Sequence, residues 1–556
     1  MNNPLRIGIL LDSFDVDAWE YSAIEQIANL DCAEIVLVVL NEAPPKPRSF
    51  VETTRRNWHE AGYVLFDKLD RKVFSRQPDA FARKDLGHLL SQTYILKVRP
   101  VRHDGIDNFE PDDIRRIREQ RLDILARFGF GHPHSDVRSA ARFGVWAYHH
   151  GDARLNRGAP PGFWETAENW PVTGVTLQRL GRRPGEGLTL HRSWFPTYPF
   201  SPAMNRQLFL WTVTSFMSRK IARLHAVGET SFWDEVHKLT PTIDIYDHRL
   251  YRTPHNLDVI KTTMRLTYRI LARVWKDWLF REQWQLLYQF QEKTTPRPYM
   301  FRKMIPPQDR YWADPQILEQ NGRYAIFFED YEYKTDKGRI AVIQINDEGV
   351  YSDAIVVLDG EYHLSYPFVF SWQDHHYMIP ESAANRTIDL YECTEFPHGW
   401  RFRMHLMEDI RAADATLLHY NHKWWLFTTV AAIEGASINY ELSLFFADDF
   451  ISTEWTAHPL NPIVSDVRRA RPAGRIFELD GKLIRPSQDS ARGYGRSLTF
   501  NEIITLSETD YEEQPIEVIK PDWDNAVIGV HTFQRVGKLT MIDALMKQRR
   551  LGLFRK

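Results

Sequence analysis

The chain has little cysteine, no excess of one charge and no long apolar run. Only Cys32 and Cys393 are present in 556 residues, which excludes a disulfide framework and a cysteine-based zinc site and favours a reducing compartment, by default the cytoplasm. The 70 Lys and Arg against 73 Asp and Glu give a net charge of -3, so there is no global basic field for a nucleic acid. No run of about 18 apolar residues occurs, so no membrane span is predicted.

Aromatic side chains are abundant instead. Phe, Trp and Tyr make up 13% of the residues, with 18 Trp, and their faces suit sugar rings as well as the core of a large β-fold. At roughly 150 residues per domain the length indicates about three to four domains. The start, MNNPLRIGILLDSFD, predicts a buried strand and not a signal peptide.

Residues 1–200 alternate short apolar runs with helical patterns. Strands are predicted at 5–11, 34–40, 94–101, 122–128 and 143–150, and helices at 18–29, 54–69 and 111–120. Such alternation is typical of a mostly parallel sheet with helices on both faces. The sequence therefore predicts an α/β domain.

Residues 201–282 are predicted to form a helical connector. Apolar residues recur there at three- and four-residue steps, with Arg and Lys on the other face. The basic face could bind a partner, a membrane surface or a nucleic acid, or it could simply be solvated, which is the commoner case.

Beyond about residue 283 the chain is predicted to be all-β and it repeats. Segments of strand, tight turn and strand start at Asp314, Tyr366, Asp414, Arg471 and His531, about 50 to 60 residues apart. The first four are followed by two more β runs. Four antiparallel strands in each repeat are typical of a propeller blade.

The fifth repeat has too little chain after it for two outer strands. We expect QWQLLYQF (283–290) and PYMFRKMI (298–305), upstream of the first repeat, to supply them, which would close the ring and remove an exposed sheet edge. The prediction is a five-bladed β-propeller over residues 283–556. The alternative is a β-sandwich with accidental self-similarity.

The starts of the inner strands should crowd a central funnel, to which the adjoining strand ends add charge. The predicted additions are Glu329, Asp330, Glu381, Arg485 and Asp489. Charges that converge on one cavity are costly unless they pair or bind a ligand. Three interpretations stay open: two carboxylates that act on a glycosidic bond, a sugar-binding funnel without chemistry, and ion pairs such as Arg471 with Asp414 that fix the blades.

The motifs WADP, HLSYPFVF, PESAAN, DATLL and SDVRRARPAGRIF resemble the propeller domain of plant glucosamine inositolphosphorylceramide transferases. The region also resembles, less closely, the propellers of glycoside hydrolase family 43. That second resemblance implies Asp314 as general base, Glu381 as acid and Asp414 as the residue that tunes the pKa of the acid. Tyr366 departs from it, because those hydrolases usually have Asp there. The substrate-binding candidates are Tyr366, Arg471, Arg485, Asp489 and His531.

The first 200 residues show a further resemblance. LDILARFGFGHPHSDVRSAARFGVWAYHH, the pair Arg157-Gly158 and TGVT resemble the formyltransferase domain of methionyl-tRNA and sugar N-formyltransferases. The resemblance implies a Rossmann-like fold, 10-formyltetrahydrofolate as donor and substrate contact by Arg157. The loop Phe128, Gly129, Phe130 and Gly131 would bind the cofactor, or its glycines only allow a tight turn.

The catalytic residues of that family are only partly present. His149 falls on the family histidine, but Ala147 replaces the Asn that holds the oxyanion, and a loss of this kind costs ~3 kcal/mol in comparable sites. The family Asp loop aligns with RRPGEG. Adjacent histidines on a strand point to opposite faces, so no metal is predicted. The catalytic candidates are His149, His150, Asp152 and Glu186.

Together these patterns suggest an enzyme of glycan or glycolipid modification. It would transfer a one-carbon or acyl group to a carbohydrate such as a nucleotide-linked amino sugar, which the propeller helps to hold. The alternatives are a glycoside hydrolase or glycan-transferring enzyme acting in the funnel, and a carbohydrate-binding protein without catalysis. The terminal KQRRLGLFRK suggests an anionic surface such as the inner membrane leaflet, or a frayed, solvated end. The sequence does not predict an oligomeric state.

Overall fold

A computed structural model describes residues 3–42, 58–103, 105–182, 187–239, 246, 248–291 and 298–550. The chain divides into two compact units, Met1–Ile270 with Ala432–Ala436 and Leu271–Ala431 with Ser437–Lys556. The helices of the predicted connector up to residue 270 are thereby grouped with the first unit. In the described ranges, no helix has the length and apolar character needed to cross a membrane.

The first unit contains the predicted alternation of strands and helices. Its strands are β1 (Leu5–Leu11), β2 (Asp15–Asp17), β3 (Ala33–Asn41), β4 (Arg83–Asp85), β5 (Tyr94–Val98), β6 (Val101–His103), β7 (Ile106–Asn108), β8 (Ile124–Arg127), β9 (His132–Pro133), β10 (Val145–His149), β11 (Val172–Leu180) and β12 (Gly187–Pro196). Its helices are α1 (Ala18–Ala28), α2 (Trp58–Val73), α3 (Pro111–Glu119), α4 (Ser135–Arg138), α5 (Phe163–Glu168), α6 (Pro202–Val213), α7 (Ser215–Leu239) and α8 (Asn256–Leu279), whose last residues belong to the second unit.

Seven of these strands form one sheet in the order β12-β11-β10-β8-β1-β3-β5. The strands from β10 to β5 are parallel, and β11 and β12 are antiparallel. The central strand, LRIGILL, is buried along almost its whole length, as expected of a parallel strand covered on both faces.

The second unit is built almost entirely of strands. They are β13 (Phe280–Phe290), β14 (Arg302–Met304), β15 (Arg310–Gln320), β16 (Arg323–Glu332), β17 (Lys337–Ile345), β18 (Ile355–Leu358), β19 (Ser365–Trp372), β20 (His375–Glu381), β21 (Ile388–Glu395), β22 (Gly399–Met407), β23 (Ala412–Tyr420), β24 (Lys423–Val430), β25 (Leu442–Ala447), β26 (Thr456–Ala457), β27 (Phe477–Leu479), β28 (Lys482–Asp489), β29 (Ser497–Leu506), β30 (Tyr511–Ile519), β31 (Val527–Gly529), β32 (Phe533–Val536) and β33 (Leu539–Arg549). A short 3-10 helix, Pro298–Met300, precedes β14.

These strands form five sheets, one for each repeat. Sheet I has the order β14-β13-β33-β31, with β32 also on β33. Sheets II to V are β15–β18, β19–β22, β23–β26 and β27–β30, each in chain order. The predicted pairing of the strand before the repeats with the last strand is confirmed, since β13 is antiparallel to β33 from Phe280 opposite Arg549 to Phe290 opposite Leu539.

Buried apolar clusters join the five sheets in a cycle. One cluster holds Leu286 and Met541 of sheet I with Phe328 of sheet II. Others join sheets II and III, III and IV, and IV and V. The last holds Leu498 of sheet V with Ile542 of sheet I. Each sheet thus shares a core with two others.

Candidate active site

Three repeats have a β-bulge at the start of their first strand. The strand register shifts at the same place in sheets II, III and IV. The bulged residues Asp314, Tyr366 and Asp414 have φ angles of 54°, 39° and 56°. Left-handed backbone is strained for residues other than glycine, and it persists where the surroundings impose it, often at functional sites. The bulges therefore mark this end of the inner strands as a candidate site.

A cavity of about 230 Å³ lies beside these strand starts. Three acids line it, Asp314, Glu329 and Glu381, together with Arg471 and His531. The structure thus brings together five of the residues predicted for the funnel from the repeat starts and the adjoining strand ends. The remaining wall is largely aromatic.

Arg471 binds two of the predicted catalytic acids. Its guanidinium donates to both carboxylate oxygens of Asp414, at 2.5 and 3.0 Å, and reaches Oε2 of Glu381 at 3.4 Å. Gln488 Nε2 also donates to Asp414, at 3.0 Å. The predicted ion pair between Arg471 and Asp414 is confirmed. Asp414 is buried and does not line the cavity, so it acts on the site by holding the guanidinium of Arg471.

His531 lies between two carboxylates. Its Nδ1 is 2.7 Å from Oδ2 of Asp543, and its Nε2 is 3.4 Å from Oδ1 of Asp314. Burial opposes the charged ring, but the two acids outweigh burial and raise the pKa of His531. The ligand atoms of the three side chains lie within 4.8 Å of one another, so this group could hold a cation, although the sequence predicts no metal.

The acids that line the cavity differ in how strongly they hold a proton. Burial raises the pKa of Asp314 to about 6, with His531 opposing the rise. Burial raises the pKa of Glu381 to about 7, with Arg471 opposing it. Burial also raises the pKa of Glu329 well above its usual range. Two carboxyls with separated pKa values in one cavity can act as acid and base near neutral pH.

Aromatic rings complete the wall. Trp284 stacks on His531 with ring centroids 4.0 Å apart, and Tyr494 lies over the Arg471 guanidinium at 5.0 Å. Tyr311 donates to Glu329 at 3.1 Å. The sequence analysis did not predict Trp284, Tyr494 and Tyr311 as parts of the site. It also missed Asp543, which could have been found as a charged residue inside the apolar run MIDAL.

Three predicted substrate-binding residues do not line the cavity. Tyr366 is buried, and its hydroxyl accepts from the Gly474 amide at 2.8 Å. Arg485, 1% exposed, donates twice to Glu513 at 2.8 Å. Asp489 caps a turn by accepting from a backbone amide two residues later. These three side chains therefore make structural contacts outside the cavity lining, and a role for them in substrate binding stays a prediction.

Asp330, also predicted for the funnel, is held by two cations instead. Its Oδ2 lies 3.1 Å from Arg310 and 3.0 Å from Arg339. It is therefore part of an ion-pair network of sheet II.

In the first unit the two predicted catalytic histidines contact other groups of the protein. His149, at the end of β10, is half-buried and its Nε2 lies 2.7 Å from the carbonyl oxygen of Asn156. Burial lowers its pKa. His150 packs against the rings of Trp19 and Phe209, at 5.2 and 5.8 Å, and burial lowers its pKa to about 3. His150 therefore stays neutral at neutral pH and is not placed to exchange protons.

The other predicted groups of that site have structural partners. Asp152 accepts from Arg154 at 2.8 Å and from Trp194 Nε1 at 3.2 Å. Arg157 donates to the carbonyl of Ala153 at 2.8 Å. Glu186 lies outside the described residues.

The glycine loop packs against the end of β1. A Cβ on Gly129 would lie 2.4 Å from the amide nitrogen of Asp12, so only glycine fits. The Phe130 amide donates to Asp12 Oδ1 at 3.1 Å, and Gly131 donates to Asp107 at 2.5 Å. Phe128 lies 6.3 Å from the ring of Trp19. The glycines therefore have a local structural reason, and cofactor binding by this loop stays a prediction.

Comparison with known proteins concerns mainly the second unit. Residues 304–530 match the family model "Glucosamine inositolphosphorylceramide transferase 1, N-terminal". The protein of that name from Oryza sativa subsp. japonica is 34% identical over 209 residues, 37% of this chain and 28% of the relative. The Arabidopsis thaliana protein is 32% identical over 206 residues, 36% and 27% respectively. The chain thus spans little more than a quarter of these relatives.

Solved structures similar to the chain include glycoside hydrolases. A thermostable family-43 glycoside hydrolase is 13% identical with a TM-score of 0.29, covering 38% of this chain and 76% of its own. The catalytic domain of Coprinopsis cinerea GH62 α-L-arabinofuranosidase is 14% identical with a TM-score of 0.33, covering 48% and 97%. The resemblance to formyltransferases stays a prediction.

Proposed function

We propose that the second unit is a closed five-bladed propeller whose cavity binds a sugar and breaks its glycosidic bond, passing the sugar to water or to an acceptor hydroxyl while the leaving oxygen takes a proton. The observation that supports this most is the pair Asp314 and Glu381, two buried acids of one cavity whose pKa values are raised to about 6 and about 7. The cyclic arrangement of apolar clusters supports the closed ring.

Each side chain has a role in this proposal. Glu381, with the higher pKa, protonates the leaving oxygen, and Asp314, ionised at neutral pH, serves as base or nucleophile. Arg471 orients Glu381 from 3.4 Å and neutralises Asp414. Tyr494, which is 46% exposed, offers its ring to the sugar, and Trp284 holds His531 in place by stacking on it.

The proposed substrate class is taken from the relatives. They are named glucosamine inositolphosphorylceramide transferase 1, so we propose a glycolipid, or the activated sugar used to build one, as the substrate here. This is a proposal for a chain that covers 28% of the rice relative.

The test is a substrate panel with matched variants. Chromogenic glycosides and nucleotide-linked sugars with a glycosphingolipid acceptor are incubated with the wild type, Asp314→Asn, Glu381→Gln and the control Glu361→Gln, whose side chain is exposed. Sugar release or transfer by wild type and control, reduced about a hundredfold or more in the two cavity variants, supports the proposal. Sugar binding without any turnover supports the alternative, a carbohydrate-binding protein without catalysis.

One-carbon transfer in the first unit stays a separate prediction. The residues present do not fit it well, because Ala147 offers no donor to an oxyanion and Nε2 of His149 is occupied by Asn156. We therefore derive no step through 10-formyltetrahydrofolate. The prediction of one-carbon transfer would be supported if a nucleotide-linked amino sugar, incubated with the protein and this donor, gained the mass of one formyl group. The cytoplasmic location likewise stays a prediction.

A further inference from the structure

Helix α8 exposes an apolar stripe along its length. Tyr268, Trp275 and Trp278 are 73%, 61% and 65% exposed. The other exposed apolar side chains that continue the stripe are Leu257, Ile260, Met264 and Leu271. The helix buries only a narrow set, Val259, Thr262 and Leu266. Contiguous exposed apolar surface of this kind marks an interaction site.

The spacing places these side chains on one side of the helix. With about 100° per residue, the seven exposed positions fall within an arc of about 80°. Lys261 and Arg265 lie on one side of this arc, about 20° and 60° beyond its edge. Over the helix there are five basic residues against two acidic ones, Asp258 and Asp277. The stripe is therefore bordered by positive charge on one side.

A basic cavity adjoins the charged side of the helix. Its volume is about 510 Å³, and its charged lining consists of four cations, Lys261, Arg265, Arg269 and Arg249, and two acids, Glu168 and Asp258. Arg269 is anchored by donating to the carbonyls of Thr166, Pro199 and Ala167. Arg249 lies 3.5 Å from Glu168. Lys261 and Arg265 are the cations of the cavity that suit the phosphate of a lipid head group.

We propose that this stripe lies on the surface of a lipid bilayer that contains anionic lipids. An amphipathic helix with Trp and Tyr on its apolar face and Lys and Arg beside it lies in the plane of the membrane interface, where aromatic rings sit at head-group depth. The charge of the helix complements an anionic surface.

A second copy of the chain fits the same stripe less well. The positions 257, 260, 264, 271 and 278 match a heptad pattern, but two such helices would bring like charges together along their flanks. The bilayer is therefore the occupant that the charges favour. This proposal is independent of the sugar chemistry proposed above, because it concerns binding and not turnover.

The experiment is flotation of the full chain with phosphatidylcholine vesicles that contain or lack phosphatidylserine. We expect binding to the anionic vesicles that weakens as salt is raised. The double variant Trp275→Ala/Trp278→Ala should lower the partition coefficient about tenfold or more, since two exposed rings no longer insert. The control Tyr299→Ala removes an aromatic side chain of similar exposure, 70%, outside the helix and should change nothing.

A second variant tests the charge. Lys261→Gln/Arg265→Gln should weaken binding about fivefold for each cation removed, because a Lys or Arg near an anionic surface contributes about 1 kcal/mol. Circular dichroism confirms that each variant is folded. The proposal is overturned if the wild type does not float with anionic vesicles, if the tryptophan variant binds equally well, or if that variant converts a dimer into a monomer in light scattering.

Discussion

Replacement of Glu381 by Gln should make the protein more stable at high pH than the wild type. Gln has the shape of a protonated carboxyl, so it keeps the uncharged state that the buried site favours. Glu381 has a pKa of about 7 in the fold against an ordinary value of 4.5. The folded state therefore holds the proton over a pH range in which the unfolded chain has released it.

The sign and size follow from proton linkage. Between pH 4.5 and 7 the native state binds more protons than the unfolded state, so the stability of the wild type falls as pH rises through this window. The difference amounts to about 3 kcal/mol above pH 7, at about 1.4 kcal/mol per pKa unit. Below pH 4.5 the side chain is protonated in both states, and the variant gains nothing.

The assay is thermal unfolding of wild type, Glu381→Gln and the exposed control Glu361→Gln at several pH values. At about 2 to 4 °C per kcal/mol, Glu381→Gln should unfold roughly 6 to 12 °C higher than the wild type at pH 8, and at nearly the same temperature at pH 4.5. Glu361→Gln should follow the wild type. A difference between Glu381→Gln and wild type that does not change with pH would refute the raised pKa.

Three further perturbations have distinct outcomes. Arg471→Gln removes the cation that opposes the rise in the pKa of Glu381, so the pH window of lost stability should extend upwards, as seen in the same unfolding series. Glu513→Gln leaves Arg485 buried without its anion and should cost about 3 to 5 kcal/mol in urea unfolding. Gly129→Ala forces a Cβ to within 2.4 Å of Asp12 and should destabilise the first unit by about 1 to 3 kcal/mol. No loss of stability in either of the last two variants would contradict the packing described.

Much of the fold could be predicted from periodic patterns. The strands at 5–11 and 34–40 and the helix at 111–120 have local signals in apolar period and capping, and the structure has them. The five repeats predicted five sheets because each has its own turn residues, such as Asn321-Gly322 and Asp480-Gly481, all with positive φ. The pairing of β13 with β33 was predicted because the fifth repeat has too little chain after it for its outer strands, so that strands upstream of the first repeat had to supply them.

The site was only partly predictable, because its contacts are non-local. The repeat starts predicted that Asp314, Arg471 and His531 would lie close together, since equivalent positions of a repeat converge, and the three line one cavity. The partner of Arg485 is Glu513, which lies on an outer strand and has no repeat signal. Asp543 and Trp284 come from the closing strands, which depart from the repeat pattern. In the first unit, the sequence could not show that Nε2 of His149 is bound to a backbone carbonyl.

The rate of sugar transfer or release as a function of pH tests the central claim most directly. With a substrate from the panel, the wild type should show a bell-shaped profile with limbs near pH 6 and pH 7, set by Asp314 and Glu381. Glu381→Gln should lose at least about a hundredfold in rate, and with it the alkaline limb. A profile that is flat over this range, or a Glu381→Gln variant as fast as the wild type, would contradict the account.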